Sequence, residues 1–204
     1  MSGPRRYRIP AARVRVEDRI EHSLFIATIE PATSVEQAKA ALERIRAEFP
    51  DATHHCHAWL IGPPGSTANT AASADGEPSG TAGQVMLKTL LNSDVGDVIA
   101  IVTRYYGGVN LGRGGLVRAY SGGVQHALRE LKTTEHVDLV NVQVVVPYAA
   151  VDAVQRLLQR EGARVIAQAF STHVALLVRM PVDREEEISR ALADATNGAA
   201  RIER

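Results

Sequence analysis

Apolar positions in this chain come in short blocks and helical stripes, separated by polar or glycine-rich stretches. Residues 22–29 (His-Ser-Leu-Phe-Ile-Ala-Thr-Ile) predict a strand. Thr33, Ser34 and Gln37 then mark a helix start, with Ser34 and Gln37 at capping-box spacing. Val35, Ala38, Leu42, Ile45 and Phe49 follow at helical spacing, and Pro50-Asp51 stops the helix. A second strand is predicted over 53–61. Residues 62–78, rich in Gly, Pro, Ser, Thr and Ala, are long for an ordinary connection and predict a functional or mobile loop with fast amide exchange. A short helix is expected at 80–92, its apolar face made by Ala82, Val85, Met86, Leu90 and Leu91. The nearly all-apolar run 97–104 predicts a central strand. A glycine-rich loop at 107–115 leads into a helix over 115–131, with Leu116, Tyr120, Val124, Leu128 and Leu131 on its inner face. Gly122-Gly123 inside that helix costs about 1 kcal/mol per glycine relative to alanine. Close approach of another backbone is the expected compensation.

Residues 132–136 are polar, and the pattern then restarts. Strand 138–147, helix 149–161, strands 163–170 and 172–180, helix 183–195 and strand 199–203 give β-α-β-β-α-β, the ferredoxin-like order. Asn197-Gly198 predicts the stop of the last helix. The expected fold class is therefore α+β with two domains, 1–135 and 136–204, the second folding independently.

Composition sharpens this picture. The chain has 204 residues, 45% of them hydrophobic, enough for a packed core. A formal net charge of +0 excludes a global field that would draw the protein to nucleic acid or an anionic membrane, so any such binding must rest on local charge. The single cysteine, Cys56, excludes an intrachain disulfide. The sequence shows no signal peptide and no run long enough for a membrane span, which makes the cytoplasm the expected compartment. Arg5, Arg6, Arg8, Arg13 and Arg15 read as a solvated tail, with a phosphate-binding arm as the alternative.

Two constellations carry candidate chemistry. The first is Asp75-Gly76-Glu77-Pro78-Ser79-Gly80-Thr81-Ala82-Gly83, which sets two carboxylates, hydroxyls and glycines at a helix entry. Exposed backbone N–H groups there favour an anion. Equally, Ser79 or Thr81 can cap the helix while Glu77 complements its dipole. An acid/base role for Asp75 and Glu77 needs the two carboxylates in different environments. The second is the run 103–120, which contains Arg104, Tyr105, Tyr106, Gly107, Gly108, Gly112, Arg113, Gly114, Gly115 and Arg118. Between Asp97 and Glu130 there is no acidic residue. Arginine forks suit phosphate, and exposed tyrosines stack on bases. The competing structural expectation is that Arg104 or Arg118 pairs with a carboxylate such as Asp75 or Glu77. Gly107 and Gly112 have P-loop spacing, but Arg113 and Gly114 stand where that motif needs Lys and Ser or Thr; Val117 breaks the dinucleotide fingerprint.

A third run, His54-His55-Cys56-His57, would alternate faces in a strand, with His55 and His57 on one and His54 and Cys56 on the other. One face supplies too few ligands for zinc, so no metal and no cofactor is expected. One pair should face the core and the other should border the loop at 62–78.

Asp75–Gly83 together with Thr103–Tyr120 resembles the signature of the IMPACT family, and the two-domain layout resembles its bacterial YigZ-like branch. Phe25-Ile26-Ala27 and the strand at His54–Cys56 fit the same pattern, although members usually carry a basic residue where this chain has Leu24. The resemblance implies an N-terminal domain like the second domain of a small-subunit ribosomal protein and like domain IV of elongation factor G, the ribosomal translocase. It implies a C-terminal domain like the translocase's domain V. Eukaryotic relatives regulate translation through an additional N-terminal domain that this sequence lacks. The functional expectation is a translation-associated protein that binds RNA or a ribonucleoprotein through the basic glycine loop, with no membrane partner. The alternatives are a small enzyme acting on a phosphorylated or peptide-like substrate, and a protein-interaction module.

Overall fold

A computed structural model describes residues 6–203. The contacts divide the chain into two units, one ending at His136 and the other beginning at Val137. The fold mixes helices and sheets in both.

The first unit begins with three strands, β1 (Arg6–Pro10), β2 (Val14–Ile20) and β3 (Ser23–Pro31), followed by α1 (Val35–Glu48). Then come β4 (His54–Ile61), β5 (Asn69–Ser73), α2 (Gly83–Leu91), β6 (Val98–Tyr105), α3 (Gly112–Glu130) and β7 (Thr133–Val137). Five strands form an antiparallel sheet in the order β2-β3-β6-β4-β5, with β6 in the middle, as its continuous apolar run requires. Side chains of β6 alternate between two cores. Ile99 and Ile101 pack with Trp59 and Ile61 beneath Ala38, Ala41, Leu42 and Ile45 of α1. Val98, Ala100 and Val102 pack with Phe25, Ala27, Cys56, Ala58 and Leu60 beneath α2 and α3. Ser34 caps α1 by accepting from the Gln37 backbone N–H at 3.3 Å. Gln37 returns the bond one residue early, accepting from the Thr33 N–H at 2.9 Å.

Two stretches depart from the sequence expectation. Residues 6–20 are not a solvated tail: β2 pairs with β3 at the sheet edge, and β1 pairs with β7 in a separate two-stranded sheet. The polar segment 132–136 is thus mostly strand. Among the described residues of the expected arm, Arg6, Arg8, Arg13 and Arg15 are all engaged with carboxylates. Arg6 meets Glu135 at 3.0 Å, Arg8 meets Asp94, and Arg15 forks onto Glu48 at 2.5 and 2.8 Å, with Arg13 at 3.7 Å from the same carboxylate. Arg5 lies outside the described residues. Residues 62–78 are likewise not one mobile loop, because Asn69–Ser73 adds a strand to β4.

The second unit contains β8 (Leu139–Val146), α4 (Val151–Arg160), β9 (Arg164–Phe170), β10 (Val174–Pro181), α5 (Glu185–Ala195) and β11 (Arg201–Glu203). Its connectivity is β-α-β-β-α-β, and its antiparallel sheet runs β11-β8-β10-β9. Val142, Val144 and Val146 alternate inward on β8 and meet Leu176, Val178, Val154, Leu158, Ile188 and Leu192 in a single core. Past α5, Asn197 and Gly198 take left-handed φ of 50° and 79°, and the Gly198 N–H reaches back to the Ala193 carbonyl at 2.8 Å, which ends the helix as the sequence predicts.

No described helix is long and apolar enough to cross a membrane.

Candidate functional site

Antiparallel pairing of β4 with β6 sets His54 opposite Arg104 and Cys56 opposite Val102, and β3 sets Phe25 opposite Arg104. By the two-residue period of a strand, Arg104 therefore shares the face of Val98, Ala100 and Val102 under the helices. It is only 5% exposed. Its Nη1 donates to Glu77 Oε1 at 2.6 Å and its Nη2 to Ser23 Oγ at 3.3 Å. The Tyr120 hydroxyl, reaching in from α3, donates to the same Glu77 oxygen at 2.7 Å. Glu77 is itself buried, and the guanidinium sits 5.2 Å from the ring centroids of both Phe25 and Tyr106. The two sequence runs are thus joined through a buried carboxylate–arginine–tyrosine cluster. The structural expectation holds for Arg104: its two Nη groups are engaged inside the protein, its Nε is buried without a partner among the described residues, and the guanidinium is not presented to a phosphate. Burial pushes the Tyr120 hydroxyl far up, with Cys56 and Glu77 adding to the effect. Burial also pushes the Cys56 thiol up to about 12, leaving it a poor nucleophile.

The loop before α2 is tied to β4 rather than open to solvent. Asp75 accepts from the His55 backbone N–H at 2.6 Å and lies 3.4 Å from Arg46. The His54 Nδ1–H donates to the Asp75 carbonyl at 2.7 Å, and the Cys56 thiol to the Ala74 carbonyl at 3.0 Å. Thus His54 and Cys56 border the loop while His55 and His57 lie buried on the α1 side, as the alternation predicts. Gly76 and Gly80 take left-handed φ, and the Pro78 carbonyl accepts from both the N–H and the hydroxyl of Thr81. Helix capping by Ser79 or Thr81 is not what the structure shows. Ala82 occupies the cap position of α2 without a side-chain bond, and Glu77 is turned away to Arg104 and Tyr120. Both carboxylates of the candidate acid/base pair are therefore held by protein donors.

The second run presents a different surface. Tyr106 is 49% exposed, and Gly108, Val109, Asn110, Gly112, Arg113 and Gly114 are all exposed, with Gly107 and Gly115 partly so. The helix starts at Gly112, three residues earlier than the pattern predicts, so the glycines supply its first turn. That turn has no acidic residue; Asn110 Oδ1 accepts from the Gly112 N–H at 3.0 Å, and the N–H groups that follow have no side-chain partner among the described residues. Arg113 donates to the Ser79 carbonyl at 2.8 Å, bridging the two runs on the outside. Arg118 is exposed, and its guanidinium makes no hydrogen bond or ion pair among the described residues. Tyr105 is less available, its hydroxyl donating to Asp51 at 2.9 Å. An anion can bind here to the N–H groups of that turn beyond Gly112, to one unpaired guanidinium and to a second that is only singly engaged. Among the described residues no group of three or more His, Cys, Asp or Glu side chains is placed to hold a metal ion.

On the opposite face, His55 donates from Nε2 to the Phe49 carbonyl and accepts from the Thr103 hydroxyl, each at 3.1 Å, while His57 stacks on Trp59. Burial is the largest influence on both rings and pushes both below the ordinary histidine value. The unfolded chain takes up the proton more readily, so the stability held in the neutral rings is complete well above about pH 6.5 and is lost as pH falls from there toward the lowered values. The urea midpoint should therefore drop between about pH 7.5 and about pH 5, and the double change His55→Asn, His57→Gln should flatten that drop. An unaltered pH profile in the double variant would place the acid sensitivity elsewhere.

These features define a two-unit α+β protein with a buried acid–arginine–tyrosine cluster under an exposed, acid-free glycine loop. The Impact N-terminal domain matches residues 21–128, and a domain of unknown function (DUF1949) matches 144–199. The chain is 42% identical to the IMPACT family member YigZ of Escherichia coli (strain K12), over 95% of each chain. It is 30% identical to the IMPACT family member YvyE of Bacillus subtilis (strain 168), over 90% of this chain and 83% of that one. A crystal structure described only as that of a hypothetical protein superposes with a TM-score of 0.72 at 41% identity, covering 98% of this chain and 97% of the other. The chain belongs to the IMPACT family, in its YigZ-like two-domain form.

Proposed function

We propose that this protein is a translation-associated binding protein of the cytoplasm that holds RNA, free or in a ribonucleoprotein, on the loop 106–115 and the first turns of α3. The observation that carries the reading is the acid-free start of α3, where only the Gly112 N–H is taken by a side chain among the described residues, with Arg113 and the unpaired Arg118 on its surface. Phosphate oxygens suit such donors, and the exposed Tyr106 ring offers a stacking plate beside them. Arg104, Glu77 and Tyr120 then serve as the frame that fixes the loop, and Tyr105 is held by Asp51. Membership of the family agrees with this reading. So does fold analogy: the β-α-β-β-α-β order of the second unit supports a ferredoxin-like domain comparable to domain V of the translocase, beside a first unit comparable to its domain IV.

The test is RNA affinity at several salt concentrations for the double variant Arg113→Ala, Arg118→Ala. Both side chains are on the surface, so stability should change by no more than about 0.5 kcal/mol each. Each phosphate of a single strand that is no longer neutralised should lower the salt slope by about 0.7. Sequence preference should stay unchanged, because phosphate contacts carry none. A folded double variant with wild-type affinity and slope would end this reading.

A further inference from the structure

Beyond the loop, α3 forms one wall of an open groove whose other wall is β2. Two adjoining hollows of about 600 and about 260 Å³ share Ile20, Arg118 and Ala119. Arg118, Gly122, His126 and Arg129 fall at intervals of four, four and three residues, which places them along one helix face. Measured from Gly112 to Arg129, that face is about 26 Å long. Arg129 is exposed, and neither its guanidinium nor that of Arg19 on β2 makes a hydrogen bond or ion pair among the described residues. Of the two carboxylates nearby, Asp18 accepts from His126 Nδ1 at 3.1 Å, and Glu21 stands in the turn after β2.

Gly122 separates this groove from ordinary packing. Glycine in mid-helix costs about 1 kcal/mol relative to alanine. At Gly123 a Cβ would rest 3.5 Å from the Ala27 methyl on β3, in ordinary contact with the sheet beneath. At Gly122 there is no sheet beneath: a Cβ would meet nothing within 4 Å. The close backbone approach expected from the sequence is absent, and what the glycine preserves is an open floor between guanidinium groups.

We infer that this groove is a phosphodiester track: a single strand of RNA entering at the glycine loop continues along α3, past Arg118 and over Gly122, to Arg129. The inference rests on the RNA-binding reading of the loop and extends it to a defined path. A single strand suits the floor because one extended chain fits between a helix and a strand. A duplex presents two rails on either side of a groove roughly 6–12 Å wide. The unpaired arginines favour a polyanion over a neutral peptide.

Fluorescent oligouridylates of about 12 and about 4 nucleotides separate the path from the loop, the shorter one spanning only the loop end. Gly122→Leu extends a side chain over the floor from a Cβ position that meets nothing within 4 Å and improves helix propensity, so its thermal midpoint should hold or rise. It should weaken the longer probe by about tenfold and leave the shorter within about twofold. Arg129→Gln, a surface change, should weaken the longer probe less and reduce its salt slope. If both variants bind the longer probe like wild type while Arg113→Ala still weakens it, the track is wrong and the loop reading survives. If wild type binds neither probe, both fall. If poly-glutamate competes as well as the longer probe, an acidic protein segment is the occupant and the RNA track is overturned.

Discussion

Arg104→Ala should destabilise the first unit by about 3–5 kcal/mol, because it leaves the Glu77 carboxylate buried without its partner. Removing the guanidinium takes away the 2.6 Å bond to Glu77 Oε1, leaving that oxygen to the Tyr120 hydroxyl at 2.7 Å, with His54 Nε2 at 3.9 Å. It also empties the space between the Phe25 and Tyr106 rings and withdraws a donor from Ser23, whose hydroxyl accepts from the Gly107 N–H at 3.2 Å. The damage therefore reaches the loop. Weakened RNA affinity in this variant would report a disturbed frame rather than a missing phosphate ligand. Replacing both partners with apolar side chains, Arg104→Met with Glu77→Leu, should recover much of the loss, since a dry pair of similar volume leaves no orphan charge. The strength of the coupling is read from a double-mutant cycle in urea. An Arg104→Ala protein within about 1 kcal/mol of wild type would mean that the cluster is not the frame described here.

The sequence made the regular parts of both units legible where periodicity was strong and pairing was with near neighbours. The central β6, the helical stripe of α1 and all six elements of the second unit stand in the order predicted. What escaped were β1, β2, β5 and β7, each for a physical reason. β1 and β7 form a two-stranded sheet whose partners are far apart in sequence, so neither carries a core-facing pattern of its own. β5, Asn-Thr-Ala-Ala-Ser, has no bulky β-branched run and is held as an edge by β4. β2 did carry a signal: Val14 and Val16 alternate with Arg15 and Glu17, and the arginines masked it as a tail. At the candidate site the residues were legible and their depths were not. Arg104 and Arg118 look alike as basic residues of one run. Only the two-residue period of β6, counted on from Val98, Ala100 and Val102, sends Arg104 inward, whereas the start of α3 carries Arg118 outward. Glu77 became a buried partner because a left-handed turn at Asp75 and Gly76, with φ of 45° and 91°, redirects the chain over β4.

Gly107→Ala is expected to separate the loop's position from its composition, and to do so with a large effect. A Cβ at residue 107 would lie 1.9 Å from the His22 carbonyl oxygen and 2.0 Å from its carbon. Both are backbone atoms of the turn joining β2 to β3, so no side-chain rotation relieves the overlap. Either that turn or the loop must move, at a cost of about 3 kcal/mol or more. Movement also breaks the Gly107 N–H bond to Ser23, the same hydroxyl that receives Arg104. Gly108→Ala is the control. Its φ of 83° makes alanine cost about 1–2 kcal/mol, but a Cβ there meets nothing within 4 Å, so the loop can stay in place. In urea unfolding the Gly107 variant should therefore be the weaker of the two. In RNA binding, measured well below both midpoints, it should lose affinity while Gly108→Ala keeps most of it. If the two variants unfold alike, the close approach of the loop to the β2–β3 turn is not what fixes it. If Gly107→Ala is destabilised yet binds RNA at wild-type strength, binding does not depend on where the loop is held.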